Sequence, residues 1–331
     1  MTSGVEAQTG SDAGTDGAAA EDDSIVAGDS ATEDESTIVV SGLRKAYGDA
    51  VAVDGISLEI AAGEVFALVG PNGAGKTTTV RAVTGTLEPD DGRVRVLGER
   101  PRAVDADRIG VLPQSFTPHR RLTPMETVSH YAGLYADARD PAAVLEDVGL
   151  DPSRDTWYED LSGGERRRLA VATTIVNDPD LIFLDEPTTG IDPAGRHRLW
   201  DLFESIAATG TTIVLTTHDM AEAERLADRV GFLANGRLVR TGSPAALIER
   251  FGGSSRLVLE TDAIPDAIDG FEARETQDGL VVRDVEPTEV GEAVTAVESA
   301  GATVEALSWR EPTLEDAYLS LVDETANGDR T

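Results

Sequence analysis

The 331-residue chain contains no cysteine, which excludes disulfides and every thiolate metal site. Its four histidines are scattered without ligand spacing, so they suggest no metal cluster either. No apolar run approaches the roughly 18 residues needed to span a bilayer. Stretches such as "VFALVG" and "LIFLDEP" are far too short. The N-terminus lacks the basic-then-apolar pattern of a secretory leader, so the chain is expected to stay in the cytoplasm. Basic charge is scarce: 28 Lys and Arg stand against 61 Asp and Glu, for a net charge of -33, and Lys45 and Lys76 are the only lysines. A basic footprint for nucleic acid is missing, and no such partner is expected.

What is present is an apolar fraction of 40%, enough to bury a sizeable core, in a length that allows two domains. Residues 1–36 are rich in Gly, Ala, Ser, Asp and Glu, show no period, and read as a disordered acidic tail. The acidic excess continues along the rest of the chain. It fits a protein adapted to high salt, where screening removes the self-repulsion of so much like charge.

From Ile38 the texture changes. "TIVVSGLRKAY" and "ISLEI" read as strands, "EVFALVG" as a buried strand, residues 75–86 as a helix, and "GRVRVLG" and "RIGVLP" as short strands. Residues 123–150 are Ala- and Leu-rich and helical, an insertion between strands. "LIFLDEP" and "TTIVLTTHD" are further strands, separated by a helix from Pro193 to Ala208, and "RVGFLANGRLVRTG" is a hairpin turning at Asn235-Gly236. Buried strands alternating with helices imply an α/β parallel sheet with an antiparallel portion at its start. Past Gly252-Gly253 four strands ("RLVLET", "FEARETQ", "GLVVRDV", "TVEALSW") recur. A helix at "EVGEAVTAVESAG" and a turn or helix at "IPDAIDG" complete a β-α-β-β-α-β, ferredoxin-like order, and "TLEDAYLSLV" is a closing helix.

The chemistry is concentrated in a few short motifs. "GPNGAGKTT" (Gly70, Pro71, Asn72, Gly73, Ala74, Gly75, Lys76, Thr77, Thr78) is a phosphate loop between a strand and a helix. Its glycines let successive amides face phosphates, Lys76 reaches the β/γ oxygens, and the Thr77 hydroxyl suits Mg²⁺. "LIFLDEPTT" places Asp185 and Glu186 at a strand's C-terminal end, where open α/β sheets bind ligands. Asp185 suits metal coordination and Glu186 suits a general base on the attacking water. Gln114 and His218 also end strands, although neither points to chemistry by itself. A second glycine-rich turn, "LSGGE" at Ser162, Gly163 and Gly164, opens a helix 86 residues after Lys76 and carries no lysine of its own.

These motifs in this order, over residues 38 to about 250, resemble the ATP-binding cassette family of transporter ATPases. The resemblance implies a P-loop NTPase fold: a mixed sheet, an antiparallel β subdomain and a helical subdomain at about 115–165. It implies a domain over 37–252, followed by a small α+β ferredoxin-like extension over 253–331. It also implies that ATP and Mg²⁺ are the cofactors, and that two such chains pair head to tail as a homodimer. Ser162, Gly163 and Gly164 would then touch the γ-phosphate held at the partner's Lys76. Tyr47 matches the aromatic residue that stacks on adenine, and Gln114 the residue linking Mg²⁺ to the membrane-subunit contact. His218 matches the switch histidine, and Asp192 lies in the loop crossing the dimer interface. Glu165 departs from the family pattern, where Gln is usual. "EPTLEDAYLSLV" resembles the ending of cassettes from drug-resistance and sodium-efflux exporters. The implied function is the ATPase subunit of an exporter, held by a separate membrane permease at the inner face of the cell membrane. An importer ATPase, or a soluble cassette acting on ribosomes or DNA, is the alternative.

Overall fold

The computed structural model describes residues 36–265, 267–276 and 279–328, the last six of these as backbone only. All but the last residue of the acidic tail read over 1–36 lies outside the described residues. Two long strands, β1 (Ser36–Tyr47) and β2 (Ala50–Ala61), pair antiparallel. β3 (Val65–Val69) is buried at every position, as a strand covered on both faces must be. α1 (Lys76–Val83) follows and is shorter than the sequence suggested, because Gly85 turns the chain away at a φ of 73°. β4 (Asp91–Val96) then joins β1, giving an antiparallel sheet of order β2-β1-β4.

β5 (Ile109–Leu112) leads into the helical insertion, made of α2 (Pro124–Ala132) and α3 (Pro141–Asp147), and then into α4 (Gly163–Ile175). β6 (Leu181–Asp185), α5 (Pro193–Ala207), β7 (Thr212–Thr217), α6 (Met220–Leu226), β8 (Arg229–Ala234), β9 (Arg237–Gly242) and α7 (Pro244–Phe251) complete the cassette. α2, α3, α5 and α7 share one start signal: a Thr, Asp or Ser cap followed directly by proline. The cap oxygen accepts a free backbone amide, and proline needs none at that position. The six-stranded sheet has the order β5-β6-β7-β3-β8-β9, parallel except for the β8–β9 hairpin. Asn235 and Gly236 both take positive φ at that turn, as a tight hairpin of this type requires. One face of the sheet packs on helices, with Leu112, Leu169, Ile182, Leu184, Leu199 and Phe232 in the shared core. The other face packs on the antiparallel sheet and α1 through Phe66, Leu68, Phe183, Ile38 and Leu43.

β10 (Arg256–Thr261), β11 (Ala273–Thr276), β12 (Gly279–Arg283), α8 (Val290–Ser299) and β13 (Val304–Arg310) form an antiparallel sheet of order β11-β12-β10-β13. Of the turn or helix expected at "IPDAIDG", the described residues show the turn: 262–272 hold bends, a turn and a single isolated bridge, Ile268 to Phe271. Pro265, Gly270 and the aspartates between them leave too little uninterrupted chain to nucleate a helix. The closing helix, α9 (Leu314–Gly328), forms as expected and packs back on the cassette. Leu314, Ala317, Tyr318 and Leu321 bury themselves in the cassette's helical core, with the Tyr318 ring 5.3 Å from that of Phe232. The chain therefore leaves the cassette for the small sheet and returns to it.

Candidate nucleotide-binding and hydrolysis site

The register of the central strands sets the geometry. Val69 on β3 lies opposite Thr217 on β7, and Asp185 on β6 lies opposite Thr216. The segments that follow these strands therefore emerge side by side at the C-terminal edge of the sheet, where this topology builds its ligand sites. After β3 the backbone passes so close to its neighbours that only glycine fits. A Cβ on Gly70 would lie 2.2 Å from the Leu233 carbonyl oxygen, and one on Gly75, at φ 109°, 2.5 Å from that of Ala52. Lys76 opens α1 and is buried; its Nζ donates to the carbonyl oxygens of Gly70 at 2.6 Å and Pro71 at 3.3 Å. Thr77 is exposed beside it.

Glu186 adopts a positive φ of 48°, rare outside glycine, which turns its side chain back across the strand ends. Its amide donates to the Thr216 carbonyl at 3.0 Å, fixing that turn against β7. Its buried carboxylate lies 3.5 Å from Lys76 Nζ and 2.6 Å from His218 Nδ1, and accepts the Thr189 hydroxyl at 3.1 Å. Asp185 accepts the Thr216 hydroxyl at 2.5 Å. The structure thus brings Lys76, Asp185, Glu186 and His218 together. The His218 side chain is 53% exposed and so open to a ligand from the solvent side.

Ser162, Gly163 and Gly164 form a separate group with Asp192. The Ser162 hydroxyl and amide bond within their own cap, to Glu165 Oε2 at 2.7 and 2.9 Å. A Cβ added to Gly164 would sit 3.9 Å from Asp192 Oδ2, so the two turns are neighbours. Among the described residues no hydrogen bond or ion pair joins the Ser162 turn to Lys76. Glu165, the departure from the family pattern, completes the capping box and also accepts the Ser153 hydroxyl at 2.5 Å. Bonds from Ser153 and Ser162 hold its carboxyl below the usual range. Asp192 caps α5, and the Gly195 amide likewise lowers its pKa. Gln114 is exposed in the loop after β5, and Tyr47, half-exposed, ends β1 with the Lys45 ammonium 5.9 Å from its ring centre.

Sequence reasoning missed Arg167. Its guanidinium donates to the carbonyl oxygens of Pro187 at 2.7 Å, Pro113 and Asp185 at 2.9 Å, and Glu186 at 3.0 Å, with Gln114 at 3.4 Å. One side chain on α4 therefore fastens the Asp185–Pro187 turn and the Gln114 loop to the helix capped by Ser162. Burial pushes its pKa down, while the charges of Asp185, Glu222 and Glu186 oppose that shift.

The model of the family described as "ABC transporter" matches residues 53–189, a stretch that includes Lys76, the Ser162 turn and Glu186. Over 311 residues the chain is 37% identical to the Nod factor export ATP-binding protein I of Sinorhizobium fredii, covering 88% of both chains. The chain belongs to the ABC transporter ATP-binding proteins. A match of that length cannot end with the cassette and includes part of the C-terminal sheet region. The protein of the same description from Paraburkholderia xenovorans is 44% identical over 223 residues, 65% of this chain and 73% of that one. Among solved structures, an ATP-binding subunit of an ABC transporter superposes with a TM-score of 0.59 at 26% identity, covering 65% of this chain and 93% of that chain. A bacterial Atm1-family ABC exporter with ATP bound gives 0.58 at 25% identity, over 65% of this chain and 40% of that one. The protein is thus the ATP-binding subunit of an ABC transporter, an ATPase. No helix among its described residues is long and apolar enough to cross a membrane.

Proposed function

We propose that this subunit hydrolyses ATP to power an exporter, working as a head-to-tail pair attached to a separately encoded permease at the inner face of the membrane. The observation that carries the reading is the convergence of Lys76, Glu186 and His218 at one end of the sheet, while among the described residues the Ser162 side chain bonds within its own helix cap. A serine and two glycine amides presented at a helix start suit the γ-phosphate of a second chain's nucleotide. Export is supported by the names of the relatives, which are export ATP-binding proteins.

In this reading the amides of the Gly70–Thr78 loop cradle the phosphates, and Lys76 exchanges its carbonyl partners for β/γ oxygens. Tyr47 stacks on adenine. Glu186, buried and hydrogen-bonded by His218, orients the attacking water and accepts its proton, and His218 then turns to the γ-phosphate. The exposed Thr77 hydroxyl and the Asp185 carboxylate are hard oxygen donors, with Gln114 as a third. No cluster of three acidic or histidine ligands stands ready among the described residues, which fits an ion held largely by phosphate oxygens. When bound, Mg²⁺ would offset charge on the phosphates. The partner's Ser162, the partner's Gly163 and the partner's Gly164 would close over each nucleotide, with Asp192 at the seam.

Mixing a Lys76→Ala chain with a Ser162→Arg chain tests this. In the mixed pair one site carries both lesions and the other carries neither. Recovery of ATPase activity on mixing two inactive proteins is expected, and a mixture as inactive as its parents would refute action in trans.

A further inference from the structure

The stretch from Asp185 to Arg196, which contains the turn from Glu186 to Asp192, is tied to the segment around His218 by four side-chain links. Thr216 reaches Asp185, His218 reaches Glu186, Arg196 on α5 pairs with Asp219 at 2.8 Å, and the Thr188 hydroxyl donates to Glu222 Oε1 at 2.8 Å. The last link is sealed from solvent, with Glu222 1% and Thr188 5% exposed. The same Oε1 accepts the indole N–H of Trp200, on α5, at 3.1 Å. Oε2 is also enclosed and meets no donor at hydrogen-bonding geometry, although the Thr217 hydroxyl lies beside the carboxyl and counters the effect of burial. No Lys or Arg forms an ion pair with Glu222 among the described residues, Arg167 being the cation that faces it without contact. Burying an acid without a paired cation is costly, and a position that needed only to be filled would take Leu or Met at lower cost. What Glu222 supplies and an apolar side chain cannot is an acceptor shared by two other elements. Burial raises its pKa above the ordinary range, and a protonated carboxyl keeps that acceptor.

We propose that Glu222 is a positioning residue that, by accepting from Thr188 and Trp200, locks the Asp192 turn and α5 to the segment bearing His218. The interface-facing turn and the Glu186–His218 pair then shift as one unit, so that closure of a second chain on Asp192 reaches the hydrolytic centre. The inference rests on the roles proposed above for Glu186, His218 and Asp192.

The test uses the full chain with Glu222→Ala, Glu222→Gln, Thr188→Val and the Glu222→Ala/Thr188→Val double variant. The readouts are steady-state ATPase kinetics and binding of a fluorescent ATP analogue. Glu222→Ala and Thr188→Val should each lower kcat by about tenfold, with analogue affinity within about twofold of wild type. Glu222→Gln, whose amide oxygen accepts the same two bonds, should retain kcat within about threefold, and the double variant should be no slower than Glu222→Ala. Unchanged kcat in Glu222→Ala, a Glu222→Gln variant as slow as Glu222→Ala, or multiplying losses in the double variant would each overturn the proposal. If Glu222→Ala fails to fold, Thr188→Val decides, since it removes one hydroxyl at nearly constant shape and full kcat there ends the argument. Failure of the mixed-pair assay would remove the trans role of Asp192 and leave these kcat ratios standing. A normal mixed-pair assay beside an active Glu222→Ala removes the lock alone.

Discussion

Replacing Arg167 by methionine should loosen the whole hydrolytic edge of the sheet, and the structure gives the size of the effect. The guanidinium makes four bonds of 3.0 Å or less, to the carbonyl oxygens of Pro113, Asp185, Glu186 and Pro187. Methionine can follow the same path as the arginine stem but leaves those four oxygens without a donor. Hydrogen bonds to a charged group each contribute about 1.5–3 kcal/mol. The cation's own desolvation, and water reaching the partly exposed Pro113, reduce the net effect. A buried acceptor left without its donor costs about 1–3 kcal/mol, and with the Glu186 and Pro187 residues buried and Asp185 partly so, a total loss of about 3–5 kcal/mol is expected here. For a unit of cassette size, each kcal/mol moves the midpoint of melting by about 2–4 °C, so a fall of about 6–20 °C follows. Arg167→Lys should lie between the two, because an ammonium cannot reproduce the planar fork that spans three segments. The assay is thermal unfolding followed by circular dichroism. A midpoint for Arg167→Met within about 2 °C of wild type would refute the clamp, showing that other partners satisfy these oxygens.

Three further outcomes are expected. Glu186→Gln should still bind ATP yet hydrolyse it about a hundredfold or more slowly, accumulating an ATP-bound dimer; size-exclusion chromatography in ATP that shows only monomer would contradict the paired site. Glu222, with its pKa raised by burial above the ordinary carboxylate range, adds stability while protonated and loses that contribution as pH rises through its folded value. It faces Asp219 at the start of α6 and the Arg167 cation from α4, and Glu222→Gln should gain melting temperature relative to wild type as pH rises from about 4.5 to 8; a constant difference would refute it. With a net charge of -33, melting temperature and ATPase rate should both rise with KCl as the Debye length falls from about 10 Å at 0.1 M to about 3 Å at 1 M, and a flat or falling profile would refute salt adaptation.

Much of the cassette was legible because its signals are local. β3 and β6 are short apolar runs buried at nearly every position, and the Asn235-Gly236 turn and the proline-after-cap starts name their own conformations. Lys76, Asp185, Glu186 and His218 were named from their motifs, and the structure draws them together beyond or at the ends of β3, β6 and β7. Two features of the C-terminal part were left open by local pattern. "IPDAIDG" is too interrupted to form a helix, and α9 has an apolar stripe that fits either core. Its choice of the cassette depends on Phe232 and on α7, both more than 60 residues earlier in the chain.

Arg167 and Glu222 were hidden for a deeper reason. "ERRR" places three arginines in succession at the start of α4, and a helix turns about 100° per residue, so each must point elsewhere. Arg166 takes the Tyr158 and Glu159 carbonyls and covers the Tyr158 ring, Arg168 lies over Gly164, and Arg167 alone reaches the catalytic turn. Its partners are backbone oxygens, which every residue has, so no residue type in the sequence marks them. Glu222 is hidden in the same way, since an acid four residues past His218 reads as a solvated helix face until Thr188 and Trp200 close over it. Residue type reveals which groups can react. What holds those groups in register depends on which carbonyl or hydroxyl the fold brings alongside, and in this cassette that fastening falls to one partly buried cation and one buried acid.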